Sequence, residues 1–292
     1  MRIRSVAENA ATAGGLELGS SGDGSSDPAI PGRSVVGMRV DAVSYGSAAR
    51  RIVQWASRGE SRYVCVASVN NAVQAGDDPD FRRVMNESDL VTPDGMPLVW
   101  ALRLLGIPEA TRVYGPELTP LVCELARDQD IPVALYGGTE ESLEALTASL
   151  SARLPGLRVV YRWAPPFRAL TAEEDSRVCD DIRRSGARIL FVGLGAPKQE
   201  RWMAEHRGQI QAVMVGVGAA FDFLGGRKRQ APKWMRDAGL EWLYRLAREP
   251  RRLWRRYLLG NPRFVMQLAA QLLLERTGNR YHPNGKSTLS TN

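Results

Sequence analysis

From Val35 onward, short apolar runs rich in β-branched residues alternate with longer amphipathic segments, and this alternation restricts the fold more than any other feature of the chain. Parallel strands cannot be joined by a tight turn; each needs a crossover long enough to return the chain to the same edge of the sheet, and a helix is the usual solution. The runs predict strands at Tyr63–Ser68, Leu90–Thr92, Val133–Tyr136, Arg158–Arg162, Ile189–Gly193 and Val213–Val217. Between them lie predicted helices at Ser47–Arg58, Asp80–Asn86, Met96–Leu105, Glu117–Asp128, Glu140–Leu154, Ala172–Ser185 and Pro197–His206. The expected class is α/β: a Rossmann-like, mostly parallel sheet flanked by helices.

After Asp222-Phe223-Leu224-Gly225-Gly226 the alternation stops and the chain turns helical, aromatic and arginine-rich. The expected organisation is an α/β catalytic core over residues 34–226 and a helical, basic C-terminal appendage over 227–275. Residues 1–33 and 276–292 are expected to be disordered tails. The first of these has few large apolar groups to offset the entropy of ordering its Gly/Ser-rich stretch Gly19–Ser26.

A chain of 292 residues with 44% apolar content can bury a large core. Its longest uncharged run near the core, Ala212–Phe221, is half of the roughly 20 residues a spanning helix requires, so no bilayer crossing is expected. Neither does the N-terminal stretch contain the apolar run of a signal peptide, which favours a cytoplasmic location. Cys65, Cys123 and Cys179 are odd in number and embedded in apolar patterns, as reduced core thiols would be. Charge is unevenly spread. Between Arg227 and Arg263 stand twelve Lys or Arg against three acids, a local excess of nine in a chain whose net charge is +7. One end of the molecule is therefore built to meet an anion.

In open parallel sheets ligands bind beyond the C-terminal strand ends, where loops converge and helix N-termini present free N–H groups. Four polar stretches fall there: Ser68-Val69-Asn70-Asn71, Thr92-Pro93-Asp94-Gly95, Tyr136-Gly137-Gly138-Thr139 and Gly193-Leu194-Gly195-Ala196-Pro197-Lys198-Gln199-Glu200. Asp94, ahead of an apolar helix, is either a general base or a helix cap. Gly137-Gly138 and Gly193/Gly195 could bring backbone N–H groups to a phosphate, or could serve turn geometry alone. Asp78-Pro79-Asp80 has metal-site spacing but precedes a helix, and it reads as a cap. His206 and His282 have no soft ligand nearby in sequence, so no metal site and no cofactor are expected.

The basic stretch can be read in three ways. Arg245, Arg252 and Arg255 recur at i, i+7 and i+10 and would share a helical face, although Pro250 interrupts the register. Such arginines can grip a diphosphate, with Trp234, Trp242, Trp254, Tyr257, Leu258 and Leu259 as partners at an anionic membrane surface. A solvated charged face and a nucleic-acid patch are the alternatives. An oxidoreductase on the same sheet would need G-x-G-x-x-G after the first strand, which is absent.

Together these stretches resemble the WecG/TagA/CpsF glycosyltransferases (glycosyltransferase family 26) over about Val35 to Phe264. The resemblance rests on Thr92-Pro93-Asp94-Gly95, the Gly193–Glu200 run, Gly216-Val217-Gly218-Ala219-Ala220-Phe221-Asp222, Glu241-Trp242-Leu243-Tyr244-Arg245-Leu246, Glu249-Pro250-Arg251-Arg252-Leu253, Arg256-Tyr257-Leu258 and Asn261-Pro262. It implies inverting, metal-independent transfer of an N-acetylmannosamine, mannosaminuronate or related sugar from UDP to a polyprenyl-diphosphate-linked saccharide. Cell-surface or exopolysaccharide synthesis on the inner face of the membrane is the implied setting. Asp94 would be the general base and Arg252 a catalytic cation, with Arg245 and Arg255 beside it at the leaving diphosphate. Ser68, Asn70, Asn71 and Gln199 would hold substrate; Gly137, Gly138, Gly193, Gly195 and Asp222 would hold the nucleotide. Members usually carry Thr where Ser68 stands. No nucleic-acid partner is implied, and self-association is left open.

Overall fold

The computed structural model describes residues 29–276. A small antiparallel hairpin comes first, β1 (Gly32–Val35) and β2 (Met38–Asp41), joined by a two-residue turn whose Val36 and Gly37 both have positive φ. Positive φ at both positions twists the turn in the sense of the flanking strands. The hairpin begins two residues inside the stretch read as an N-terminal tail. Residues 1–28 of that tail, and 277–292 of the C-terminal one, lie outside the described residues.

The main sheet has six parallel strands: β3 (Arg62–Ala67), β4 (Leu90–Pro93), β5 (Val133–Gly137), β6 (Val159–Trp163), β7 (Ile189–Gly193) and β8 (Val213–Gly216). Their order is β4-β3-β8-β7-β5-β6. All six expected strands form, to within a residue or so at each end. β7 and β8 read as unbroken apolar runs because both of their faces are covered.

Helices α1 (Tyr45–Ser57), α2 (Val69–Asp77), α3 (Pro79–Glu87), α4 (Met96–Leu104), α5 (Gly115–Asp128), α6 (Glu140–Arg153), α7 (Ala172–Ser185), α8 (Lys198–Glu205) and α9 (Ala220–Leu224) cross between and follow the strands. They touch one another in two sets: α1, α5, α6 and α9 in one, α2, α3 and α8 in the other. Seven of the nine match the expected helices; α2 and α9 are additions. Asp78 caps α3, its Oδ1 accepting from the N–H groups of Asp80 and Phe81 at 3.0 Å each. This bears out the cap reading of Asp78-Pro79-Asp80.

The basic stretch supplies α10 (Lys233–Asp237), α11 (Glu241–Arg248), α12 (Pro250–Trp254), a π-helical turn over Arg255–Leu259, and α13 (Gly260–Arg276). Its end is part of the core. Phe264 and Leu268 of α13 join the main apolar cluster, and the Gln271 side chain closes the hairpin, accepting from Val36 N at 2.8 Å and donating to Ser34 O at 2.7 Å. From Pro31 to Arg276 the described residues form one compact unit. Residue 226 therefore marks the end of strand–helix alternation and not the end of packing. Among the described residues no helix is long and apolar enough to cross a membrane.

Candidate active site

A cleft opens at the C-terminal ends of β3 and β4, walled by Ser68–Asn70, Asp94–Pro97 and Arg112 from the sheet side. Its other wall is the basic stretch, through Arg236, Gly239, Glu241, Trp242, Arg245, Arg256, Tyr257 and Asn261. Four arginines and two acids line it, a local excess of two positive charges. Such a wall favours an anion.

Asp94 stands at the first position beyond β4, where its N–H donates to Ala67 O at 2.8 Å and extends the β3–β4 ladder by one rung. It is not a cap: Gly95 occupies the N-cap of α4 and makes no side-chain cap bond. The carboxyl is 24% exposed. Burial raises its pKa from 3.8 to about 6, with Arg112 and Arg245 pulling the other way and Glu241 adding to the rise. Arg112 Nη2 donates to Asp94 Oδ1 at 3.3 Å and to Glu241 Oε2 at 2.6 Å, while its Nε donates to the Asp94 carbonyl. Tyr114 OH donates to Glu241 Oε1 at 3.2 Å. A carboxyl poised near neutrality at the mouth of a cleft can take a proton from a bound hydroxyl.

Ser68 opens α2 as one half of a capping box with Asn71. Its N–H and its hydroxyl donate to Asn71 Oδ1 at 3.0 and 2.9 Å. Asn71 Nδ2 and Gln199 Nε2 donate in turn to Glu200 Oε1 at 3.1 and 3.0 Å, and Gln199 Oε1 accepts from Gly195 N at 3.1 Å. Glu200 has no exposed surface, and burial raises its pKa against the pull of these two amides and of Arg256. Ser68 and Asn70 therefore reach the cleft, as expected. Asn71 and Gln199 do not: at 2% and 4% exposure they form the wall behind Ser68, because both amides are spent on Glu200 and its neighbours.

The arginines need a larger correction. Arg245 lines the cleft and lies over the Phe223 ring at 5.3 Å. Arg252 does not line it; its side chain is 64% exposed and paired with Glu249. Arg255 is exposed and lies over Trp254. The i, i+7, i+10 face does not exist, because α11 ends at Arg248, Glu249 leaves the helical conformation (φ −133°, ψ 59°), and Pro250 starts α12 in a new register. The π-helical turn that follows then delivers Arg256 to the cleft. Arg256 Nη2 donates to Ser68 Oγ at 3.2 Å, and its Nε is buried without a partner. Burial, with Arg245 and Arg252 nearby, pulls its pKa down. Trp242 and Tyr257, expected to face a membrane, pack together with ring centroids 6.0 Å apart and line the cleft instead.

The glycine turns end β5 and β7, neighbours from which the chain departs in opposite directions, β5 toward the edge strand β6 and β7 toward β8. This is the place where open sheets take nucleotides. Packing accounts for much of their glycine content. A Cβ on Gly137 would sit 2.6 Å from the Gly193 carbonyl carbon, and one on Gly193 would sit 2.7 Å from the Phe221 ring. Gly138 N donates to Gly193 O at 3.1 Å, Gly195 has open space where a Cβ would be, and Asp222 pairs with Lys228 at 3.0 Å. None of these five lines the cleft. All three cysteines are buried and free, as expected, but Cys179 and His206 are brought together with Asp175, an encounter their sequence separation conceals.

Sequence reasoning missed Arg112, Arg236, Glu241 and Arg256 as cleft residues, and Tyr114 as a partner of Glu241. Arg112 and Tyr114 lie in a connection with no periodicity. Glu241 and Arg256 stand inside motifs already quoted, but only the break at Pro250 reveals which arginine turns inward.

Residues 33–278 match the family model described as Glycosyl transferase WecG/TagA/CpsF family. A Bacillus spizizenii protein named N-acetylglucosaminyldiphosphoundecaprenol N-acetyl-beta-D-mannosaminyltransferase is 28% identical over 230 residues, 78% of this chain and 86% of its own length. A Bacillus subtilis protein of the same name is 26% identical, covering 70% of this chain and 77% of its own, and a Staphylococcus aureus one is 30% identical, covering 65% and 72%. These matches replace the oxidoreductase and nucleic-acid readings as an account of the chain. A carboxyl with a raised pKa and a buried guanidinium whose Nε has no partner thus line one cleft at the strand ends of a chain that belongs to the WecG/TagA/CpsF family of glycosyltransferases.

Proposed function

We propose that this chain transfers an N-acetylmannosamine-type sugar from UDP to the saccharide of a polyprenyl-diphosphate-linked acceptor, with inversion, at the inner face of the cell membrane. The observation that carries the reading is the meeting of Asp94 with Arg245 and Arg256 across one cleft. The acceptor hydroxyl attacks the anomeric carbon as its proton passes to Asp94, and the bond from that carbon to the diphosphate oxygen breaks. Negative charge then grows on the UDP phosphates. Arg256, whose Nε has no protein partner, and Arg245 are placed to receive it, in the way preorganised cations stabilise a leaving group. In this scheme guanidinium groups supply the countercharge, and Arg252 and Arg255 are free to meet lipid headgroups.

The names of the relatives support the acceptor class and make N-acetylmannosamine the first donor to try. Peripheral attachment is supported by the surface: among the described residues, eight of the eleven exposed large apolar side chains, from Trp234 to Leu273, lie on the basic stretch among its arginines. The glycine turns after β5 and β7, with Asp222, are the proposed seat of the nucleotide. The test is turnover of a panel of UDP-sugars with a synthetic lipid-diphosphate-N-acetylglucosamine acceptor. The reading expects one N-acetylmannosamine-type donor to be used with inversion; hydrolysis of donor with no glycolipid formed would contradict it.

A further inference from the structure

We propose that Asp175, Cys179 and His206 form a zinc site between α7 and α8, outside the cleft and beyond the proposed transfer reaction. Asp175 and Cys179 are four residues apart on α7, so both project from one helical face. His206 caps the C-terminal end of α8 against that face. The three offered ligand atoms all lie within 4.8 Å of one another, and His206 Nε2 is 2.8 Å from Asp175 Oδ2. Tetrahedral zinc with bonds of about 2.0–2.3 Å holds its ligand atoms about 3.3–3.8 Å apart. The observed spacings bracket that value, and adjustments of an ångström or less would reach it.

The outer contacts are those of a metal site. His206 Nδ1 donates to Trp202 O at 2.7 Å, which leaves Nε2, bonded to Asp175 Oδ2 at 2.8 Å, as the nitrogen that a metal would take in exchange for its proton. Trp202 Nε1 donates to Asp175 Oδ1 at 3.1 Å, which leaves Oδ2 facing His206. One sulfur, one imidazole nitrogen and one carboxylate oxygen suit zinc or cobalt and poorly suit magnesium or calcium. The Asp175 side chain is 33% exposed and that of His206 is 5% exposed, so an ion enters from the Asp175 side and keeps a water there as its fourth ligand. Binding displaces the Cys179 thiol proton and the His206 Nε2 proton to solvent.

Such an ion would clamp the end of α8 whose first turn carries Gln199 and Glu200, the wall behind Ser68. Its role is to hold that wall, with no part in the transfer itself. The test is a cobalt(II) titration of the full-length protein, purified without a metal-affinity tag and stripped with chelator. The expected result is saturation at one cobalt per chain, with thiolate-to-cobalt charge-transfer absorption and the d–d bands of a tetrahedral site, displaced by one equivalent of zinc. Cys179→Ser should abolish the charge-transfer band, and Cys123→Ser, a buried thiol elsewhere in the fold, should leave it intact. A wild-type protein with no saturable band would overturn the proposal, and so would a band that survives in Cys179→Ser.

Discussion

The two walls of the cleft are built differently. The sheet-side wall is fixed: Asp94 continues a strand ladder, and Ser68 is held through Asn71 to a buried Glu200. The opposite wall consists of α10, α11, α12 and a π-helical turn, of five, eight, five and five residues, and only Leu253 and Tyr257 among their side chains are buried. Helices this short have little stability of their own, and apolar burial is what normally secures them. Polar ties stand in for it here, Arg112 and Tyr114 to Glu241 and Arg236 to Glu117. A fixed carboxylate thus faces cations on a wall held largely by polar ties. Under the proposed function, the second wall would assemble where its exposed apolar groups meet a lipid surface.

Loss of the rigid wall's chemistry should have the largest effect. Asp94→Asn should lower kcat by about 10²–10⁴, the usual contribution of a positioned general base. Arg256→Gln should lower it by about 10²–10³, as removal of one preorganised charge donor does, with donor binding measured separately by calorimetry. If Arg256→Gln weakens donor binding and leaves kcat alone, the second wall binds and does not catalyse.

A stability measurement sharpens the same contrast. The Asp94 pKa lies above its unfolded value, so the folded chain holds the extra proton between pH about 4 and about 6, and stability from this group falls as pH rises through that window. Asp94→Asn should therefore gain on wild type across it, by at most about 3 kcal/mol, in urea unfolding at a series of pH values. Glu241→Gln should act more gently, weakening the tie to Arg112 and Tyr114 by about 1–3 kcal/mol and so raising the protease sensitivity of the 233–259 segment. Since the Glu241 charge adds to the rise of the Asp94 pKa, the acid limb of the wild-type rate should also move to lower pH in that variant.

The sheet was readable because its strands are unbroken β-branched runs, and the Asp94 strand end was readable because parallel sheets concentrate ligands there. What escaped was set by local backbone events. Helix α2 hides behind Asn70, Asn71 and Gly76, which are poor helix formers, and its start is marked by the Ser68/Asn71 capping box. The β1–β2 hairpin lies at the edge of a polar stretch, and its positive-φ Val36 gives no turn signal of its own. Arg252 and Arg255 were chosen over Arg256 because a helical wheel carries no information past Glu249, where the chain leaves the helix. Asn71 and Gln199, expected to hold substrate, turn their amides inward to a buried carboxyl that spacing alone does not reveal.

The most direct test of the two-walled site is the pH dependence of single-turnover glycolipid formation at saturating donor and acceptor. Wild type should lose rate below an apparent pKa near 6, one proton at a time, and Asp94→Asn should show a low rate with no such limb. An acid limb near 6 that persists unchanged in Asp94→Asn would assign the proton to another group and contradict the account.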